Sequence, residues 1–471
     1  MFKKSWPFIL LALLSFALHF SFLSYPAQVV FDEVHFGKFV AAYSTGQYYF
    51  DIHPPLGKLM IAGFTKLTGV SPVFDFSQIG QAMPAKTLFA LRFMPAFFGS
   101  LFVLLFSWLA YLISRNKTTA LIAGFLILLD NAFLGQSKFI LVDIFMFSFQ
   151  VLTLAFFFLW QKQKSFSAKW FAFLGLTGLF AGLTASVKWT GLAVIGIIGI
   201  VLLAKVFSKK LSSYLGQNDN TVSITIKIKE LFVGSFFLLI IAFGVYLAPF
   251  YLHFKLLPNS GSGDAFMSQP FQLELKYGRD NVYQPLSFWQ KFVELNKTMY
   301  SANASLSAEH PFGSRWYSWP LNVKPVYYWN QEEIIGQAGW KAKIYLSGNP
   351  LLWWLAGLST IFTLLTFCLP KVRRRLSPIF FILLLGFFAN LLPFILITRV
   401  SFLYHYLPSL IYAILILALW LARLWPKDKA ILSIIMALVL LSFVLLSPLS
   451  YGWPMPPRVN LLELKIINLF N

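Results

Sequence analysis

The sequence predicts an all-α polytopic membrane protein with about eleven transmembrane helices and two large external loops. Hydrophobic residues make up 58% of the 471 positions, including 53 Phe and 15 Trp, whereas only 12% of residues are charged. A soluble chain of this length could not bury so much apolar surface, so lipid must solvate much of it. The Lys and Arg residues give a net charge of +21. They cluster between apolar segments, as in cytoplasmic loops, and therefore do not indicate nucleic-acid binding.

Apolar segments of about 17–25 residues are long enough to cross the hydrocarbon core as helices. We interpret the first one as a retained helix, because its apolar run is long for a signal peptide. The predicted spans lie near residues 6–24, 88–113, 118–134, 139–160, 170–186, 190–207, 231–251, 350–370, 377–397, 400–424 and 430–448.

The distribution of positive charge predicts the orientation of these helices. If Lys3 and Lys4 are cytoplasmic, every second connection should be rich in Lys and Arg. The basic connections are residues 114–117, 161–169, 205–230, 371–375 and 423–429. We therefore expect a cytoplasmic N-terminus, an extracytoplasmic C-terminus, and two large external segments at residues 25–87 and 252–347.

These connections divide the chain into three expected regions. They are an N-terminal transmembrane catalytic region (1–250), an external loop region (251–349) and a C-terminal four-helix transmembrane region (350–471). In the third basic connection, TVSITIKIKE (221–230) predicts a small hairpin or an interfacial segment. The single cysteine, Cys368, excludes an intrachain disulfide and any multi-cysteine metal site.

Asp32 and Glu33 follow the first predicted helix by about one turn. A helix cap or flank would explain one acid, but further titratable side chains follow as far as Lys58. A carboxylate at a membrane boundary loses hydration and becomes more basic, so it can accept a proton from an attacking alcohol. Adjacent side chains point in different directions, so we expect one carboxylate to act and the other to position it.

The same segment contains DIHPPLGK (51–58), in which two prolines restrict the backbone beside His53. We expect His53 to contact substrate, although a Pro-Pro pair is also common in ordinary turns. Lys58 has two open interpretations: it binds a lipid phosphate, or its ammonium reaches up to the membrane interface.

A second polar cluster, TRVSFLYHYLPSL (398–410), lies at the outer end of a predicted helix. Arg399 is expected to bind a phosphate group, because guanidinium matches phosphate oxygens with a planar fork and stays charged in a dry site. Tyr404 and His405 are expected substrate contacts, although aromatic residues are ordinary at membrane interfaces. Arg92 and Lys138 are expected to assist Arg399 in binding the phosphate.

Asp143 lies near the outer end of a predicted helix, where a charge in lipid is costly. It should therefore face protein, water or a cation, and structural pairing with Lys138 or Lys188 is the simplest interpretation. The external segment HPFGSRWYSWPL (310–321) contains His310, Arg315 and Trp316. Its aromatic, partly polar character suits a sugar or an extended peptide; the alternative is a loop that packs on itself at the membrane surface.

Six motifs together resemble the dolichyl- or polyprenyl-phosphate-mannose:protein O-mannosyltransferase family. They occur in the family's order between residues 31 and 410, and so cover most of the chain. They are FDEVHFGKFVAAYSTGQYYFDIHPPLGK, DNAFLGQSKFILVDIF, SVKWTGL, HPFGSRWYSWPL, IYLSGNPLLWWLAG and FLYHYLPSL. Residues 252–347 are too few to hold the MIR module of eukaryotic members, so the chain resembles a compact prokaryotic-type member.

The resemblance implies a GT-C glycosyltransferase fold with its active site on the non-cytoplasmic face. It implies inverting transfer of mannose from a polyprenyl phosphate to Ser or Thr of secreted or membrane proteins. Asp32 matches the family's catalytic acid and Glu33 its partner. The lipid-linked sugar is then a co-substrate and no cofactor is required, with a divalent metal at the DEVH and HPP clusters as the alternative. We expect a location in the plasma membrane and contact with the secretion channel.

Two other functions are compatible with the sequence. A related GT-C enzyme would move a different sugar from the same kind of carrier to lipid A or a glycan. A transporter or lipid flippase is the alternative of another class. Transporters usually show inverted repeats and charges at mid-membrane, whereas here the charges gather at one boundary and no repeat is evident.

Overall fold

The computed structural model describes residues 6–216, 222–305, 309–334 and 336–459. Lys3, Lys4 and the C-terminus, on which the expected orientation partly depends, lie outside the described residues. The division into three regions stays a prediction.

The predicted all-α membrane class is confirmed by a bundle of long apolar helices. In the described ranges, eight helices are long and apolar enough to cross a membrane. They are α4 (Ala85–Ser114), α7 (Asp143–Gln161), α8 (Ala168–Val187), α9 (Ala193–Phe207, after a 3-10 turn Trp189–Leu192), α11 (Ile224–Leu256), α14 (Pro350–Cys368), α17 (Leu407–Leu421, after a 3-10 turn Leu403–Tyr406) and α18 (Lys429–Tyr451).

Three more apolar elements correspond to the remaining predicted spans. Two are short helices, α1 (Trp6–Phe20) and α16 (Ile379–Leu391). The third is a pair, α5 (Lys117–Leu128) and α6 (Asn131–Lys138), which is bent by 62° at its break. The described chain therefore has eight spans by length and composition, or nine with the bent pair, and the predicted number of eleven is not confirmed.

Asp130 explains the break between α5 and α6. Its Oδ1 accepts the first backbone N–H groups of α6, from Ala132 and Phe133, both at 3.0 Å. Its Oδ2 accepts from Trp353 Nε1 at 2.6 Å and from the backbone of Asn349 at 3.2 Å. A carboxylate at this depth is tolerated because all of these donors compensate its burial.

The remaining helices are short or polar. They are α2 (Glu33–Thr45), α3 (Leu56–Leu67), α10 (Lys209–Tyr214), α12 (Gln269–Tyr277), α13 (Phe288–Ser305) and α15 (Pro370–Arg373). The first two follow α1 in the segment that contains Asp32. Helices α12 and α13 precede a small hairpin in the second large segment.

The third basic connection does not form the expected hairpin. In its described part, residues 222–230, Ser223 caps α11 by accepting from the backbone N–H of Ile226 at 3.3 Å, and the helix begins at Ile224. The alternative of an interfacial segment stays a prediction. The predominantly helical fold also contains a small antiparallel hairpin of β1 (Val326–Gln331) and β2 (Ala342–Leu346). The β1 strand contains three consecutive aromatic residues, Tyr327, Tyr328 and Trp329, and aromatic residues are favoured in strands.

Burial distinguishes the centre of the bundle from its periphery. In α7, 83% of the apolar window is buried inside the protein, whereas in α11 the share is 17%. Helix α7 therefore lies in the protein core, and α11 presents most of its surface outward. This arrangement places Asp143, the first residue of α7, at one end of the protein core.

Candidate active site

Asp32 lies in a strained turn at the start of α2. The preceding residue, Phe31, has a φ of +46°, a left-handed conformation that a bulky side chain rarely adopts. Phe31 is held there by Tyr328 of β1: the two rings stack at 4.1 Å, and the Phe31 N–H donates to the Tyr328 carbonyl at 2.9 Å. The hairpin therefore fixes the orientation of the Asp32 carboxylate.

The Asp32 carboxylate is available for chemistry. It occupies the N-cap position of α2 but accepts no capping hydrogen bond, and its side chain makes none with the rest of the described chain. Burial raises the pKa of Asp32 to about 7; Lys188 opposes this shift, and the nearby acids Asp143 and Asp51 reinforce it. A carboxylate with this pKa can act as a proton acceptor near neutral pH.

This raised pKa predicts the pH dependence of the reaction. A base acts when it is deprotonated, so the rate should rise with pH through about 7 and level off above it. Below that value the rate should fall by about tenfold per pH unit, as one protonation requires. Measuring kcat/KM from pH 5 to 9 tests this expectation. A plateau that continued down to pH 5 would contradict it.

Glu33 is a structural partner of Asp32 rather than a second available base. Its side chain is completely buried and forms an ion pair with Arg92, with Oε1 at 2.7 Å from Nε and Oε2 at 2.8 Å from Nη2. The backbone N–H groups of Val30 and Ile140 donate to the same carboxylate at 2.8 and 2.9 Å. Glu33 thus ties the turn of α2 to α4 and to the segment between α6 and α7.

The expectation that Arg92 and Lys138 bind a phosphate is not supported by their positions. Arg92 is completely buried. The guanidinium donors that do not face Glu33 bind backbone carbonyls, which belong to Leu23, Pro26 and Gln28. Lys138 is also buried: its ammonium donates to the Ser21 carbonyl and lies 4.5 Å from the centre of the Tyr451 ring. Both cations hold neighbouring elements together.

Asp143 pairs with Lys188, one of the two partners considered for it. The Lys188 ammonium donates to both carboxylate oxygens, at 2.9 and 2.7 Å. It also lies 5.8 Å from the centre of the Tyr404 ring. Asp32, Asp143 and Arg399 are all within electrostatic range of the Tyr404 hydroxyl. We call Asp32, Asp143, Lys188, Tyr328 and Tyr404 the Asp32 cluster.

His53 lies beside this cluster, as expected for a substrate contact. Its pKa is well below the usual range because the ring is buried and three cations lie nearby; they are Lys188, Lys58 and Arg399. His53 is therefore a neutral imidazole at physiological pH. Lys58 is buried, forms an ion pair with Asp51, and donates to the His53 carbonyl at 2.8 Å, so its ammonium already has partners within the protein.

Arg399 lies in a cavity of about 580 Å³, which we call the outer cavity. Its lining residues include His310, Arg315, Trp316, Tyr317, Trp319 and Arg399. The structure thus joins the two external clusters, 309–319 and 397–401, although eighty residues of sequence separate them. The Arg399 side chain makes no hydrogen bond or ion pair with the described residues, so its charge remains available to an anion.

Of the expected substrate residues, His310, Arg315 and Trp316 line this cavity, and His405 contacts Trp319 of its wall. The rings of His310 and Phe402 lie 5.0 Å apart, and those of His405 and Trp319 stack at 6.0 Å. The Nδ1 atom of His405 lies 3.0 Å from the backbone nitrogen of Phe402 and accepts its hydrogen bond. His405 therefore fixes the loop that contains Arg399. The loop 310–321 does not simply pack on itself, because it forms a wall of the cavity.

The sequence did not identify Tyr328 or Trp319 as site residues. Both are aromatic residues in a segment rich in aromatic residues, and only the paired strands and the cavity wall distinguish them. No group of three His, Cys, Asp or Glu side chains suited to a metal ion occurs in the part of the chain that the structure describes. The expectation that no cofactor is required stays a prediction.

Two family models match almost the whole chain. The model described as dolichyl-phosphate-mannose-protein mannosyltransferase matches residues 9–258. The model described as the C-terminal four-transmembrane region of protein O-mannosyltransferase matches residues 288–469. The two models are in the order expected from the six motifs.

The chain is similar to curated protein O-mannosyltransferases. It is 32% identical to protein O-mannosyltransferase 1 of Drosophila pseudoobscura pseudoobscura over 286 residues. These aligned residues are 60% of this chain and 30% of the relative. It is 36% identical to dolichyl-phosphate-mannose–protein mannosyltransferase 4 of Saccharomyces cerevisiae over 277 residues. That alignment covers 57% of this chain and 35% of the relative. The chain thus spans about a third of the length of these relatives.

Solved structures have the same fold. The S. cerevisiae protein O-mannosyltransferase Pmt1–Pmt2 complex bound to the sugar donor has a TM-score of 0.85 at 21% identity, covering 96% of this chain and 90% of that one. ArnT from Cupriavidus metallidurans bound to undecaprenyl phosphate has a TM-score of 0.55 at 14% identity, covering 94% of this chain and 65% of that one.

The first family model alone, over residues 9–258, matches more than half of this chain. The chain therefore belongs to the dolichyl-phosphate-mannose-protein mannosyltransferase family.

Proposed function

We propose that this protein transfers mannose from a polyprenyl-phosphate carrier to Ser or Thr hydroxyls of proteins. The observation that carries this proposal is the placement of two available charges at one end of the bundle. Asp32 is a desolvated carboxylate without a hydrogen-bond partner, and Arg399 is a cation without an acidic partner in the described chain. Both lie within electrostatic range of Tyr404.

Asp32 is the general base in this mechanism. Its carboxylate accepts the proton of the acceptor hydroxyl while that oxygen forms a bond to the anomeric carbon of mannose. The bond between the anomeric carbon and the phosphate oxygen breaks, and its electron pair stays on the phosphate. A single displacement of this kind inverts the anomeric configuration and forms no covalent enzyme intermediate.

Arg399 stabilises the leaving phosphate. The donor is a phosphodiester with one negative charge, and the released polyprenyl phosphate is a monoester with up to two. A guanidinium already in place meets this developing charge without reorganisation, which is how a fixed cation lowers a barrier. Arg92 and Lys138 act indirectly, by holding the elements that surround Asp32.

The outer cavity suits the acceptor. Its wall contains Trp316, Tyr317 and Trp319 together with the polar side chains of His310 and Arg315. Aromatic faces and a few hydrogen-bonding groups bind an extended peptide or a sugar without requiring one sequence. We place the acceptor segment here, with Tyr404, His405 and His53 between it and the Asp32 cluster.

The expected cellular setting follows from the charge distribution. We place the protein in the plasma membrane with the Asp32 cluster on the extracytoplasmic side, where a secreted or membrane acceptor is reached. Contact with the secretion channel would deliver an unfolded acceptor, and stays a prediction.

A purified assay tests the function. The protein is incubated with polyprenyl-phosphate mannose and a Ser- and Thr-containing peptide, with and without a chelator, and peptide mannosylation is measured by mass spectrometry. Polyprenyl-phosphate carriers of other sugars, and lipid A as the acceptor, test the related GT-C activities. Mannosylated peptide supports the proposal, whereas transfer only to lipid A or only from another sugar contradicts it. Turnover of any kind excludes a pure transporter.

Replacing Arg399 with glutamine should lower kcat/KM by about 10- to 100-fold, the worth of one charge-assisted hydrogen bond. The glutamine keeps a hydrogen-bond donor, so the effect isolates the charge. Arg279→Gln is the matched control, because Arg279 is an exposed arginine in the second large segment, away from the outer cavity lining. Equal activity of the two variants would remove Arg399 from the phosphate site.

A further inference from the structure

We propose that the end of the bundle opposite the Asp32 cluster binds the phosphate headgroup of an anionic phospholipid. A cavity of about 460 Å³ lies there between helix ends. Three cations line it, Arg115, Lys162 and Arg423, and no carboxylate of the described chain does. We call it the basic cavity.

The position of the basic cavity follows from the helices that carry these cations. Arg115, Lys162 and Arg423 follow the last residues of α4, α7 and α17. At the opposite ends of α7 and α17 lie Asp143 and Tyr404 of the Asp32 cluster, and in the first half of α4 Arg92 pairs with Glu33, the neighbour of Asp32. Helix α7 alone has 19 residues, which at 1.5 Å per residue is about 28 Å. The basic cavity and the Asp32 cluster are thus separated by about the thickness of a hydrocarbon core.

The three cations have no acidic partner in the described chain. The Arg115 side chain makes no hydrogen bond or ion pair with the described residues. Burial lowers the pKa of Lys162 to about 8, and the charge of Arg115 contributes to this shift; the ammonium donates only to the Leu112 carbonyl, at 3.2 Å. The Arg423 guanidinium lies 4.3 Å from the centre of the Trp420 ring. Like charges that share one cavity without an acidic partner favour a bound anion.

The rest of the lining fits a lipid headgroup. The hydroxyl groups of Thr119 and Ser377 can donate to phosphate oxygens, while Phe158 and Leu419 provide an apolar wall. Basic pockets between transmembrane helices at a membrane surface bind anionic headgroups. A free phosphate would use the cations but would leave the apolar wall without a partner. The combination therefore favours a phosphate attached to acyl chains.

Lipid binding to the purified full chain tests this proposal. Phosphatidylglycerol is titrated into the protein in neutral detergent, and the thermal unfolding midpoint is followed. We expect a saturable rise in the wild type. The apparent affinity for phosphatidylglycerol should fall by about 10- to 100-fold in the triple variant, which combines Arg115→Gln, Lys162→Gln and Arg423→Gln. Native mass spectrometry of the folded fraction gives a second readout of retained lipid, should the variant be less stable.

The control removes the same charge elsewhere on the same end. Lys164, Lys371 and Lys427 are exposed and do not line the basic cavity, so Lys164→Gln, Lys371→Gln, Lys427→Gln should bind like the wild type. Equal weakening in both triples would overturn the proposal, since it would indicate only a general attraction of the surface. Phosphatidylcholine and inorganic phosphate distinguish the source of the anion. A full shift with inorganic phosphate alone would overturn the lipid assignment.

Discussion

Replacing Asp32 with asparagine is expected to lower kcat by about 10²- to 10⁴-fold, the usual contribution of general-base assistance. Asparagine has the same shape but cannot accept a proton at neutral pH. The carboxylate makes no hydrogen bond with the described chain, so its loss should leave the fold and the unfolding midpoint unchanged. Donor binding should also be retained, because Arg399 rather than Asp32 binds the phosphate. Turnover is measured with the purified protein, the lipid-linked donor and the acceptor peptide.

The matched control for this variant is Asp75→Asn. Asp75 is an exposed carboxylate in the same segment of the chain and is hydrogen-bonded by Gln81. This variant should retain full activity. If Asp32→Asn kept near-normal turnover, or if the two variants lost activity equally, Asp32 would not be the base. A residual activity of Asp32→Asn that no longer changes with pH near 7 would further identify Asp32 as the titrating group.

Replacing Glu33 with glutamine is expected to destabilise the protein by about 3–5 kcal/mol, the cost of removing one partner of a buried ion pair. The Arg92 guanidinium would remain completely buried without a counter-charge. The glutamine keeps one acceptor oxygen, so its NH2 group would face only one of the two N–H groups, that of Val30 or that of Ile140, which now meet acceptors. Activity should fall as well, because this pair holds the turn that contains Asp32. Unfolding in detergent, followed by tryptophan fluorescence, measures the change in stability.

The exposed ion pair of Glu332 and Lys341 provides the control for this substitution. Both side chains are partly exposed, at 56% and 39%, and exposed pairs contribute about 1 kcal/mol or less. Glu332→Gln should therefore unfold close to the wild type. A Glu33→Gln variant that unfolded within experimental error of Glu332→Gln would show that the buried pair is not a main support of the turn.

Most of the fold could be predicted because lipid leaves few alternatives. In a bilayer, backbone groups must be satisfied within the element, so an apolar segment of sufficient length forms a helix whatever surrounds it. The expected span at 88–113 accordingly became α4. The break after Leu128 could not be predicted in this way. It depends on Asp130 accepting from Trp353, 223 positions away, and no local pattern records that contact.

The candidate site was predictable to a different extent. The sequence identified Asp32 as a candidate base and Arg399 as a candidate phosphate-binding residue, and neither side chain is paired with another described residue. Arg92 was recognised by the same rule, yet its guanidinium belongs to Glu33, 59 positions earlier. A charged residue near a membrane boundary has the same sequence pattern whether it is available or paired. Whether the charge is available for binding depends on whether an oppositely charged side chain lies next to it. That side chain belongs to another helix or loop, so the local sequence does not reveal it.

The sequence by itself determined the membrane class, the family and the residue types that can carry the chemistry, because these depend on composition, segment length and motif order. Only the tertiary structure decided which charged groups are available. Helix packing placed Glu33 against Arg92, Asp143 against Lys188 and Asp51 against Lys58. It left Asp32 and Arg399 without ionic partners among the residues that the structure describes. The physical reason is that compensation of a buried charge is a short-range effect of contacts between distant parts of the chain.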